Sequence, residues 1–181
     1  MMKTLYLDIE TTSRKADEGM IIAIGVLTGD EPEVVFAETL EEEKRILLWL
    51  KDKLKDCELI ITWYGSGFDI PFLITRGIVH GLDMSQLEEI PMLDLCEWCK
   101  AKLLLSSNSL QAVAKFLGVW EAGNFSGADV GTLFKMSSKG NFEARRQIVQ
   151  HCREDLLALK RVHGKLEQIF GGFLRKNSNK E

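Results

Sequence analysis

Hydrophobic and polar positions along this chain follow two periods, and each switch between them marks an element. Leu5-Tyr6-Leu7-Asp8-Ile9 reads as a strand, with apolar and β-favouring residues at close spacing. Residues 20–27, Met-Ile-Ile-Ala-Ile-Gly-Val-Leu, form a near-continuous apolar run, which predicts a central strand buried on both faces. Thr28-Gly29-Asp30-Glu31-Pro32 is a turn signal, and a third strand is expected over 33–37. Three strands joined by short connections predict an antiparallel meander.

The period then changes. Ile46, Leu47, Leu50 and Leu54 recur at three- and four-residue spacing, predicting a helix over 41–55 with acids in its first turn and lysines in its last. A fourth strand over 57–62 follows this crossover and is expected to pair in parallel. Further on, the pattern gives a helix over 68–80 and a short strand over 90–94 with Pro91 near its start. A helix over 95–104 comes next, and then one capped by Asn108 or Ser109 that stops at Gly118. A short helix over 129–136 and a long one over 141–170, ended by Gly171-Gly172, complete the pattern. The expected fold class is α/β: a mixed five-stranded sheet, three antiparallel strands then parallel ones, flanked by helices. Residues 1–170 are expected to form a single domain and 171–181 a flexible C-terminal tail.

Composition narrows this picture. A chain of 181 residues, 45% hydrophobic and 28% charged, lies in the globular range. No apolar run approaches the roughly 18–20 residues of a membrane span, and a strand begins too early to leave room for a signal peptide. No membrane partner is expected, and the cytoplasm is the expected location. Cys57, Cys96, Cys99 and Cys152 are too few and too dispersed for a disulfide framework. The Cys96–Cys99 pair has zinc-knuckle spacing but no second pair, and a packing role is the plainer reading. The net charge of −4 argues against a broad basic surface for nucleic acid. It leaves room for a site whose positive charge is carried by metal ions.

Three segments carry candidate chemistry. Asp8 and Glu10 stand two apart on a strand, so their carboxylates share a face. Two such acids repel and lose solvation, and hard oxygen ligands of this kind suit Mg²⁺ or Mn²⁺. Asp69 follows two glycines and falls in the first turn of a helix, where the helix dipole also favours an acid. His151 and Asp155, four apart on the last helix, lie on one face. Taken singly, each has a plain structural reading: strand-end acids, a helix-start acid and a surface ion pair.

Together, the segments Asp8-Ile9-Glu10-Thr11-Thr12, Gly65 to Leu73, Asp94 and His151 to Asp155 resemble the DEDD 3′–5′ exonuclease superfamily, with its ribonuclease-H-like fold. Within it, the likeness is to the proofreading exonuclease domain of family B DNA polymerases and its stand-alone relatives, and it runs from Lys3 to about His163. The resemblance implies that Asp8, Glu10, Asp69 and Asp155 hold two divalent ions, Mg²⁺ or Mn²⁺, with Asp8 touching both. His151 would orient or deprotonate the attacking water, at an unperturbed pKa near 6.5. Two departures stand out. His151 occupies the spacing at which one branch carries a tyrosine, and Tyr64 stands where polymerase-like relatives carry an asparagine.

The implied activity is hydrolysis of single-stranded DNA from its 3′ end to nucleoside 5′-monophosphates, in repair or end trimming. Thr11 and Thr12 would bracket the terminal nucleotide, and Trp63, Tyr64 and Phe68 would stack on unpaired bases. Arg76, Lys100, Lys102, Lys115, Arg145 and Arg146 are either phosphate contacts or a solvated face. A homo-oligomer or a repair or replication partner protein would aid processive action. Two rival readings keep the fold: an exoribonuclease or structure-specific nuclease, and a catalytically silent nucleic-acid-binding module.

Overall fold

Strand β1 (Thr4–Thr11) lies at the centre of a five-stranded sheet of order β3-β2-β1-β4-β5. The computed structural model describes residues 3–120 and 130–170, so the tail expected over 171–181 lies outside the described residues. β2 (Ile21–Leu27) is buried along its whole length, as its uninterrupted apolar run requires, and pairs antiparallel with β1 on one side and with β3 (Glu33–Phe36) on the other. Helix α1 (Leu40–Leu54) provides the crossover, and β4 (Leu59–Thr62) then pairs in parallel with β1. Strand β5 (Met92–Asp94) pairs in parallel with β4. The mixed α/β sheet expected from the pattern is therefore the observed one.

Helices cover both faces. Leu5, Leu7 and Ile9 of β1 face a cluster that includes Leu47 and Leu50 of α1 and Phe72 and Leu73 of α2 (Asp69–Val79). Tyr6 faces the other cluster, built with α4 (Leu95–Lys102), α5 (Leu110–Phe116) and α7 (Phe142–Phe170). Alternation along β1 thus sends Asp8 and Glu10 to the α7 face.

Element ends differ from the pattern where a cap decides them. Thr39 accepts a hydrogen bond from the Glu42 amide and starts α1 ahead of its acids. Ser109, not Asn108, caps α5 by accepting from Ala112. Asn141 caps α7, its Oδ1 accepting from the amides of Glu143 and Ala144. α6 (Val130–Ser137) begins at the edge of the described residues, and Asp129 lies outside them. The short α3 (Gln86–Glu89) was not expected, because only Leu87 of its four residues is buried and no period develops. Among the described residues, no helix is long and apolar enough to cross a membrane.

Candidate active site

Strand β4 ends at Thr62, and its pairing with β1 ends at Tyr6. Beyond that point β1 has no strand on its β4 side, and the Ile9 N–H needs another acceptor. Asp69 supplies it: α2 begins at this residue, and its Oδ1 accepts from Ile9 N at 3.2 Å. The shortness of one strand thereby fixes an acid from a distant segment beside Asp8 and Glu10.

On the other side, α7 lies unusually near the sheet. Asp8 pairs across to Gly25 of β2. A Cβ at Gly25 would stand 2.4 Å from Cys152 Sγ and 2.7 Å from a Leu156 methyl, so only glycine leaves room for α7 there. The close approach brings His151 to Glu10, with Nδ1 2.7 Å from Oε1, while Asp155 Oδ2 stands 3.7 Å from the same Nδ1. Asp8, Glu10, Asp69, His151 and Asp155 are thus brought together from β1, α2 and α7.

The electrostatics follow from that crowding. Burial raises the Asp8 pKa well above the carboxylate range, and the charges of Glu10, Asp155 and Asp69 raise it further. Burial, with Glu10 and Asp94 nearby, pushes Asp69 up to about 7 despite the hydrogen bond from Ile9. Asp155 rises to about 6, chiefly through burial, with His151 opposing. For His151, burial favours the neutral ring, but the hydrogen bond and charge of Glu10, with Asp155 and Glu154, outweigh it and raise the pKa to about 9. The unperturbed value near 6.5 is therefore not what this environment gives. The raised pKa favours the imidazolium, which would donate from Nδ1 to Glu10.

A family model described as the RNase H superfamily matches residues 5–167, nearly the whole described sheet and its helices. The chain belongs to the RNase H superfamily. It is 27% identical over 160 residues to the uncharacterized protein MJ0365 of Methanocaldococcus jannaschii, a match covering 86% of this chain and 90% of that one. Its fold is similar to part of the family B DNA polymerase from the hyperthermophilic archaeon Pyrobaculum calidifontis, with a TM-score of 0.75 and 19% identity. That match covers 98% of this chain but 26% of the polymerase, so the chain spans about a quarter of its length.

In this RNase H superfamily member the acids suit a divalent cation by their chemistry. They are hard oxygen donors, and Asp8 Oδ2 is buried with no hydrogen-bond partner, an atom that a cation would satisfy. Among the described residues, no group of three or more His, Cys, Asp or Glu is arranged to hold a metal as it stands. Glu10 is turned onto His151, its Oε1 2.7 Å from Nδ1.

The residues expected to read a substrate are placed less uniformly. Thr11 Oγ1 donates to Ser13 O, and Thr12 Oγ1 accepts from Met20 N, so both hydroxyls close the loop after β1. Trp63 packs against the α7-side cluster and donates its indole N–H to Asn108 O at 3.2 Å. Phe68 packs partly on the other cluster against the buried Phe72. Tyr64 is 43% exposed, the one exposed residue of the three aromatics, with the Lys100 ammonium 4.2 Å from its ring centroid. Its backbone is left-handed, φ 62°, uncommon for a residue with a side chain.

Asp94 holds that turn, accepting from the Tyr64 and Ser66 amides at 2.9 and 3.0 Å and from the amides that open α4. Asp94 is thereby also the N-cap of α4. Arg76, by contrast, is no phosphate contact. It is buried, with Nε and Nη2 both donating to the fully buried Glu43, which also accepts from Ile21 N and bonds His80. Arg76 Nη1 donates to Ala16 O, tying the loop after Thr12 to α2. Cys96 and Cys99 are buried free thiols, in keeping with packing.

Proposed function

We propose that this chain is a divalent-cation-dependent 3′–5′ exonuclease of the DEDD type, acting on single-stranded DNA and releasing nucleoside 5′-monophosphates. The observation that carries the reading is the convergence of four carboxylates from β1, α2 and α7 around an unpartnered buried oxygen of Asp8. Asp8, Glu10, Asp69 and Asp155 hold two Mg²⁺ or Mn²⁺ ions. Bound cations of this kind supply Lewis-acid stabilisation of phosphate charge and lower the pKa of nearby water.

His151 takes the proton of the attacking water. Glu10 is what holds His151 near pKa 9, and a cation held by Glu10 would lessen that hold. The neutral imidazole would then offer Nδ1 as the acceptor of that proton. Tyr64 presents its ring to an unpaired base, and Thr11 and Thr12 shape the loop against which the 3′ end rests.

A time course on a 5′-labelled single strand tests the reading. Wild type with Mn²⁺ should give a ladder shortening from the 3′ end, abolished by EDTA and by Asp8→Ala. His151→Ala should lower the rate by about 10²–10⁴-fold, the range for losing a general base. A matched RNA strand in the same experiment fixes the sugar preference. No nucleotide release from either strand would refute the proposal.

A further inference from the structure

Beyond the acids, a groove of about 470 Å³ lies where the end of α5 meets the C-terminal half of α7. Gly118, Trp120, Arg161, Gly164, Lys165 and Gln168 line it. One side of Trp120 packs against the buried cluster beneath α7, which makes the indole a fixed surface. The Lys115 ammonium stands 5.9 Å from its ring centroid. Among the described residues, neither Lys115 nor Lys165 has a carboxylate within ion-pair distance. Other cations of α7 are committed elsewhere, Arg153 to Pro32 O and Lys160 to Gly29 O and Asp30.

Two further observations single the groove out. Gly164 sits well inside the 29-residue α7, where glycine is the weakest helix former but proline. Among the described residues nothing lies within 4 Å of a Cβ built there, so none of them requires the glycine by packing. At 100° and 1.5 Å per residue, Lys165 lies about 40° round α7 from His151 and about 21 Å along it. Arg161, Gly164 and Gln168 lie about 80–140° round to the same side, so the groove sits about a quarter-turn round α7 from His151 and further toward its C-terminal end.

We propose that this groove is a second contact for single-stranded nucleic acid, holding the strand upstream of the 3′ end. Phosphates lie against Lys115 and Lys165, and a base stacks on Trp120. This rests on the exonuclease reading for the direction of the strand. The chemistry matches one class of ligand: a polyanion with planar, apolar-faced bases meets cations interleaved with an indole. A stacked strand rising 3.4 Å per nucleotide covers about 21 Å in about six nucleotides, so a trinucleotide at the acids cannot reach the groove.

Oligothymidylates of 3 and 12 nucleotides test this with the full chain. By fluorescence anisotropy in EDTA, Lys165→Gln and Trp120→Ala should each weaken the 12-mer, Trp120→Ala by about tenfold. Lys165→Gln should also lower the salt dependence of log K by about 0.7. Gly164→Met fills the groove with a better helix former and should weaken the 12-mer with no loss of Tm, which rules out misfolding as the cause. With Mn²⁺, release from the 3-mer should be unchanged in all three variants. Unaltered 12-mer binding by Lys165→Gln and Gly164→Met overturns the groove. Failure of the wild type to release nucleotides overturns the catalytic reading instead, and the groove is then judged on 12-mer binding alone.

Discussion

At His151 two effects oppose one another: burial disfavours the imidazolium, and Glu10 favours it by more. Burial raises the pKa of Asp8, Asp69 and Asp155 as well, so protons are held on these acids at pH values where the unfolded chain has lost them. The sign for stability is the same for both kinds of group. Between about pH 4 and 7 the folded acids hold protons that the unfolded chain has released, so rising pH favours unfolding. The stability contributed by His151 is complete below about 6.5 and lost as pH rises through about 9. The expected outcome is a Tm in EDTA that falls steadily from about pH 5 to 9. Asp69→Asn keeps the Oδ1 acceptor for Ile9 and removes one repelling acid. It should raise Tm at pH 8 more than at pH 5, as read by calorimetry, and a difference independent of pH would contradict the shifted Asp69. At this scale the two-residue spacing of Asp8 and Glu10 and the four-residue spacing of His151 and Asp155 were legible. The Glu10–His151 pairing was not, because 141 residues separate them and no local rule links the two.

Among the elements, the approach of α7 to the sheet decides the geometry of the acids. Gly25→Ala puts a Cβ into Cys152 and Leu156 and must displace the helix. The expected cost is about 1–3 kcal/mol in urea unfolding, the range for overpacking a core. Nucleotide release should fall further than this loss of stability explains, because His151 and Asp155 ride on the displaced helix. A variant that unfolds like the wild type would show that α7 has room. The strands and helices themselves were readable from period alone: the apolar run of β2, the three- and four-residue stripe of α1, the crossover that makes β4 parallel. What escaped was set by contacts, not periods. α3 is too short to show a period, and Arg76 looks like any helical cation until Glu43 is seen beneath it. Gly25 did leave a trace, a glycine inside a buried strand, which signals close approach.

Over the whole molecule, two hydrophobic clusters on opposite faces of one sheet meet near the end of β1, and the acids lie where α2 and α7 converge on that end. The cluster is in tension when folded and relieved when unfolded, so a cation that binds only the native state should stabilise strongly. At one hundred times its Kd the gain is about 2.7 kcal/mol. Mn²⁺ should therefore raise Tm at pH 8, and raise it less at pH 5, where protons compete for Asp69 and Asp155. Equal rises at both pH values, or none, would argue against these carboxylates as ligands. The order of the elements carries one further consequence. Glu10 emerges from a ribosome 141 residues before His151, about 7–28 s earlier at about 5–20 residues per second. The five strands are all made before α7 is complete, so the carboxylates of Asp8, Glu10 and Asp69 stand without His151 and Asp155, and without the crowding those two bring, until synthesis has passed Asp155.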